Sequence, residues 1–156
     1  MSQRDSSTGP RQLVGFRLGQ EEYAVDILCV KEIIRVAHVT PVPNAPPHVR
    51  GVLNLRGQVI PVVCLRQRLG MEPGEPTSRT RILVTDLPPH TLGFAVDSVT
   101  EVIRVPREQI DPPPEAGPRG RAEPYVEGVA KLDSRLLLIL DLARLLTADE
   151  TQALAA

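Results

Sequence analysis

A pattern in the first half of this 156-residue chain returns in the second half, and that repetition limits the fold more than any other feature. Tyr23-Ala24-Val25-Asp26 recurs as Phe94-Ala95-Val96-Asp97, and Val30-Lys31-Glu32-Ile33-Ile34-Arg35-Val36 recurs as Val99-Thr100-Glu101-Val102-Ile103-Arg104-Val105. Val49, Gly51, Val52, Leu55, Val62 and Leu65 match Val126, Gly128, Val129, Leu132, Ile139 and Leu142 at one offset of 77, and Leu69 falls on Leu146 in the same frame. Two apolar hairpins can resemble each other by chance. A glycine held in frame with apolar pairs, behind a second matching block, argues for duplication instead. Two units are too few for a solenoid.

The local pattern makes those units β-rich. Leu13–Leu18 alternates, Tyr23–Val25 reads as its return strand, and Val30–Val36 follows after a short turn at Ile27–Cys29 with Asp26 as its N-cap. Val49–Leu55 and Gln58–Val63 form a hairpin around Arg56-Gly57, a dipeptide compatible with a turn that needs positive φ. Leu65–Leu69 reads as a short helix stopped at Gly70. Arg81–Thr85, Leu92–Val96 and Val99–Val105 are further strands, and Val126–Leu132 pairs with Leu136–Leu140 around Asp133-Ser134. The Pro-rich segment Asp111–Pro124 is excluded from any sheet interior. With no Trp, two Tyr and two Phe, the core must come from Val, Ile and Leu, which rules out an all-helical bundle. The expectation is two small barrels of about five strands each, packed through apolar faces because each core alone is thin. A groove between such halves is a usual place for ligands and partners.

The chemistry-bearing residues give little sign of catalysis. His38, His48 and His90 stand alone without a second ligand at metal spacing, and no phosphate loop or nucleophile elbow is present. Asp26 and Asp97 could suggest a catalytic pair, but their repetition at one place favours a cap or turn role. No cofactor is implied. Cys29 and Cys64 are expected as two buried thiols in a reducing compartment, although one disulfide stays open. A net charge of −1, with scattered arginines, argues against a dedicated nucleic-acid binder. The absence of a long apolar run predicts a soluble, cytoplasmic protein without membrane insertion.

Glu22-Tyr23-Ala24-Val25-Asp26-Ile27-Leu28, Val49-Arg50-Gly51-Val52-Leu53-Asn54-Leu55-Arg56-Gly57, Ile60-Pro61-Val62-Val63, Phe94-Ala95-Val96-Asp97 and the run from Tyr125-Val126-Glu127-Gly128 through Leu145-Leu146 together resemble the CheW family. The resemblance spans Gln12 to Leu146 and is most specific at Asn-Leu-Arg-Gly. It implies a mainly β fold of two SH3-like five-stranded β-barrels from an internal duplication, with short helices and a C-terminal helix. Expected boundaries are a disordered tail at 1–11, barrel subdomains at about 12–79 and 80–146, and a helix or tail at 147–156. It also implies a non-enzymatic adaptor, recruited to membrane-associated arrays, that couples the cytoplasmic tip of chemoreceptors to the regulatory domain of a CheA-type histidine kinase. Whether contacts with other CheW-like domains extend into rings stays open, as do the receptors served. The different-class alternative is a generic double SH3-like module for peptide or nucleic acid, which would want aromatic residues along a groove.

The same resemblance makes Arg56 a receptor-coupling position, against the plainer reading of an exposed turn arginine beside a glycine. Arg56 offers a rigid planar fork of donors, and Glu32 is its expected ion-pair partner. Val30 and Val99 occupy equivalent places, explained either by burial or by the receptor-binding groove. Gly51 serves close backbone approach or direct contact. Val36, Val39 and Val42, ahead of the Pro-rich linker, are expected to face the kinase's regulatory domain.

Overall fold

The structure is a computed structural model of the chain that describes residues 9–35, 38–45, 48–113 and 125–145. The tails expected at 1–11 and 147–156 therefore fall largely outside the described residues, as does Val36. Eleven strands run in the order β1 (Arg11–Leu18), β2 (Glu21–Asp26), β3 (Val30–Arg35), β4 (Val49–Leu55), β5 (Gln58–Cys64), β6 (Arg81–Leu87), β7 (His90–Val96), β8 (Ser98–Val105), β9 (Ile110–Asp111), β10 (Val126–Leu132) and β11 (Arg135–Leu140). A one-turn helix follows each late hairpin, α1 (Leu65–Arg68) and α2 (Leu142–Leu145). Asp26 caps the 3-10 turn Ile27–Cys29 by accepting from the Leu28 N–H at 2.9 Å.

The duplication is visible strand by strand. Equivalent bulges leave Lys31 in β3 and Thr100 in β8 unpaired, and Arg50 in β4 and Glu127 in β10. Gly51 and Gly128 follow the second pair of bulges because another strand crosses close above them. A Cβ on Gly51 would sit 2.1 Å from the Thr40 carbonyl oxygen, and one on Gly128 would sit 3.0 Å from that of Asp111. Thr40 bridges Val52 as Asp111 pairs with Val129, so the second copy keeps as the short edge strand β9 what the first reduces to one bridge. Asp111 thus lies in a sheet, at its edge, despite the prolines that follow it.

The sheets do not follow the expected division at residue 79/80. The six-stranded sheet has the order β8-β1-β2-β11-β10-β9, and the five-stranded sheet β3-β6-β7-β5-β4. Each copy's leading hairpin, β1–β2 or β6–β7, is inserted among the trailing strands of the other copy. The two copies have near-identical strand patterns, so pairing within a copy and pairing between copies carry the same local signature. Alternation identifies the strands, not their partners.

Three apolar clusters hold this arrangement. Leu13, Ala24, Val105, Ala130, Leu137 and Ile139 fill the six-stranded sheet; Leu53, Ile60, Val62, Ile82 and Val84 fill the five-stranded one. A larger cluster between them includes Phe16, Tyr23, Val63, Leu83, Phe94 and Leu140, with the Phe16 and Tyr23 rings stacked at 5.9 Å. Full burial of such a side chain contributes about 1.5–3 kcal/mol, so this seam stabilises both sheets jointly.

Candidate functional site

The β4–β5 hairpin turns through Arg56 and Gly57 at φ +52° and +86°, the mirror-image two-residue geometry that suits strand twist. The Asn54 side-chain oxygen accepts from the Gly57 N–H at 2.9 Å and fixes the turn. The turn aims Arg56 at Glu32 on β3, and the two side chains meet as a bidentate pair, Nη1 lying 3.1 Å from Oε2 and Nη2 against Oε1. The expected pair is present. It links elements at opposite edges of the five-stranded sheet, with the Arg56 side chain 69% exposed. Hydrogen bonding to Arg56 holds the Glu32 carboxyl below its ordinary value, so the pair stays ionised. An ion pair so open to water adds little to stability, yet it presents fixed donors and acceptors to a partner.

The other candidates divide. Val30 lies on β3, Val99 on β8 in the other sheet, and both pack half-buried against the central cluster. Gly51 is buried beneath Thr40 and Pro41, which matches close backbone approach and leaves no surface for direct contact. Val39 packs half-buried against the five-stranded sheet's cluster, whereas Val42 is exposed.

The exposed side chains hold a signal that lay in the repeat but needed the structure to be read. Ile33 and Val102 are equivalent, as are Val59 and Leu136, and all four are exposed. Each copy so carries two unburied apolar residues on one sheet, one of them next in sequence to a gripped carboxylate: Glu101, equivalent to Glu32, is held by Arg135. Leu28, 74% exposed, was not distinguished by sequence.

Between the sheets the seam is packed, and openings lie beside it. One cleft of about 320 Å³ is lined by residues including Arg11, Asp26, Leu28, Cys29, Asp86, Leu87, Glu127 and Asp141. Burial, reinforced by Asp141 and Asp26 and opposed by Arg11, raises the Glu127 carboxyl above its ordinary value. Burial, together with Asp26, Glu127 and Asp141, pushes the Cys29 thiol up to about 11. Both cysteines are free, Cys64 buried and Cys29 only partly so. The smaller cleft includes Arg50, Cys64, Arg66 and Asp97. There Arg66 donates to Asp97 at 2.8 and 2.5 Å, and the Gly19 N–H adds a bond at 2.8 Å. Burial raises the Asp97 carboxyl, but these bonds outweigh it and hold it below its ordinary value.

Among the described residues no cluster of His, Cys, Asp and Glu is placed to hold a metal ion, and no helix is long and apolar enough to cross a membrane. The CheW-like domain family model matches residues 12–150. The chain is 35% identical over 145 residues to the probable chemotaxis protein CheW of Rhizobium etli, covering 93% of each, and 35% identical over 147 residues to the chemotaxis protein CheW of Rhizobium meliloti, covering 94% of each. The crystal structure of the scaffolding protein TtCheW from Thermoanaerobacter tengcongensis superposes with a TM-score of 0.83 at 33% identity, covering 90% of this chain and 95% of that one.

Proposed function

The chain belongs to the CheW family, and from that membership we propose that it is a cytoplasmic, non-enzymatic chemotaxis scaffold coupling the tip of chemoreceptors to the regulatory domain of a CheA-type histidine kinase. The observation that carries this reading is the Arg56–Glu32 pair, held on an exposed, conformationally fixed hairpin where its contribution to folding is least and its accessibility greatest. Val30, beside Glu32 on β3, extends that surface towards the seam, and Val99 approaches the seam from the other sheet. Gly51 supports the surface from beneath by letting Thr40 cross close to β4. Exposed Val42 is the kinase-facing contact in this reading, with Val36 and Val39 in the same segment. The duplicated apolar pairs, one on each sheet, supply two further surfaces, enough for contacts with other CheW-like domains to continue into rings.

The generic peptide- or nucleic-acid-binding alternative draws no support from the aromatic residues. Phe16, Tyr23 and Phe94 are fully buried, and Tyr125 packs against the central cluster, so none forms a surface stacking platform. The test is a pull-down of the purified chain with a receptor cytoplasmic fragment and, separately, with the kinase's regulatory domain. Arg56→His is expected to lose receptor fragment while keeping a cooperative unfolding transition and kinase-domain binding. Failure of the unaltered chain to retain either partner would overturn the proposal in favour of the generic module. Unfolding of Arg56→His would return Arg56 to a structural role.

A further inference from the structure

The two clefts beside the seam stand at equivalent places in the two copies. At the offset of 77, Arg50 corresponds to Glu127, Cys64 to Asp141 and Arg66 to Ala143, and Asp97 repeats Asp26. The bonds confirm the equivalence: the Cys64 N–H donates to the His48 carbonyl as the Asp141 N–H donates to that of Tyr125, both at 2.8 Å. In the smaller cleft the chain supplies its own guanidinium, since Arg66 spans to Asp97. In the larger one, Ala143 leaves that room unfilled.

What lines the open cleft suits the same group. Asp26, Asp86, Glu127 and Asp141 line it with Arg11, which reaches Asp26 at 3.0 Å and Glu127 at 3.5 Å, while Asp141 also pairs with Arg144 at 3.6 Å and accepts from the Ala143 N–H at 3.1 Å, so four carboxylates meet two guanidinium groups. Asp86 has no ion-pair partner among the described residues. Apolar Leu28 and Leu87 stand beside these carboxylates, matching the aliphatic stem of an incoming side chain, and Leu28 is 74% exposed at the lip.

We propose that the cleft bounded by Asp86, Glu127 and Asp141 receives an arginine side chain from a partner protein, in the room that Arg66 occupies at the equivalent cleft. A planar guanidinium can take two carboxylates at once, which a lysine ammonium does with less directional fit. The excess of negative charge also draws a cationic segment towards the seam and repels an acidic one. This inference does not depend on which protein brings the arginine, and its test uses none of the partners named above.

The probe is the blocked pentapeptide Ala-Ala-Arg-Ala-Ala, with citrulline and lysine versions as controls, titrated into the full chain labelled with nitrogen-15. Saturable shifts are expected at the Leu28, Glu127 and Ala143 amides, with affinity at least tenfold weaker for the citrulline peptide and weaker for lysine. Ala143→Arg is expected to abolish the shifts by filling the cleft from within. Should that variant fail to fold, Glu127→Gln with Asp86→Asn keeps the shape and is expected to weaken binding at least tenfold. Equal response to citrulline, or lysine binding as tight as arginine, would overturn the assignment.

Discussion

Arg66 on α1 closes over Asp97 of the second copy; at the matching turn of α2 stands Ala143, so Asp26 is reached instead by Arg11 and Asp86 keeps no ion pair among the described residues. The hairpin tips differ in the same manner. Arg56 sits in the turn itself at positive φ and grips Glu32, whereas the second copy turns through Asp133-Ser134 and grips Glu101 with Arg135 from the strand beyond. Both copies keep the bulges, the crossing strand and the apolar frame. Duplication has preserved what packs and varied which charges the chain satisfies for itself. The positions where one copy is self-sufficient and the other is not are where a partner has something to add.

The largest difference between the copies should appear at the paired glycines. Gly51 combines φ +147° with a Thr40 carbonyl oxygen 2.1 Å from any added Cβ, and both chain and neighbour there are backbone. Gly51→Ala is expected to cost about 3 kcal/mol or more, from strained backbone plus a clash that no side-chain rotation relieves. Gly128 meets Asp111 at 3.0 Å without a left-handed φ, so Gly128→Ala should cost about 1 kcal/mol. Urea denaturation of the two variants checks this. Equal costs would mean the first crossing is looser than its geometry indicates.

These same positions show what the sequence could and could not disclose. The repeat, the strands, the Asp26 cap and the positive-φ turn at Arg56-Gly57 were legible because each is a local pattern with a local cause. The Glu32–Arg56 pair was also legible, once β3 and the hairpin were placed in one sheet. The exchange of leading hairpins was not, since β1 pairing with β8 and β6 with β3 satisfies the same alternation as pairing within each copy. The burial of Val39 and Gly51 depended on the crossing at Thr40, a single bridge with no sequence signature. The clefts were hidden because Asp26, Glu127 and Asp141 converge only once β2 of the first copy is paired beside β11 and β10 of the second, the exchange that alternation does not disclose.

A second, smaller difference concerns the charges beside the seam. Arg66→Ala leaves Asp97 with the Gly19 N–H as its remaining hydrogen bond, and is expected to cost about 1–2 kcal/mol at neutral pH. Ala143→Arg, which adds a group where none is required, should leave the unfolding midpoint nearly unchanged. Asp97 is held below its ordinary value in the folded chain, so its contribution is present at neutral pH and disappears as the pH falls through the carboxylate range. Stability curves against pH should therefore fall less steeply on the acid side in Arg66→Ala than in the unaltered chain. Parallel curves would detach Asp97 from acid stability.

Glu127 runs in the opposite sense and by less. Burial, with Asp141 and Asp26 close by, raises its carboxyl in the folded state, and Arg11 only partly compensates. A raised carboxyl favours folding while protonated, and that advantage is lost as pH rises through the raised value. Glu127→Gln, which cannot ionise, should then be as stable as the unaltered chain at neutral pH, or slightly more. Measured loss of stability in Glu127→Gln at neutral pH would show that the Arg11 contact outweighs the crowding of like charges.

The smallest effect on folding is expected where the effect on docking is greatest. Arg56 sits at φ +52°, a region that costs a non-glycine residue some strain and costs glycine none. Arg56→Gly removes the pair with Glu32 but also relieves that strain, so the unfolding midpoint should stay where it is or rise. The turn itself remains closed by the Asn54 bond to the Gly57 N–H. In the second copy Arg135 lies in β11 and has no such strain to shed, and it serves Glu22 as well as Glu101. Arg135→Gly should therefore lower the midpoint, since glycine also weakens a strand interior. Thermal unfolding of both variants alongside receptor-fragment pull-down separates the roles: Arg56→Gly should fold normally and fail to dock. An Arg56→Gly chain that both folds and docks as before would leave the hairpin as a turn and no more.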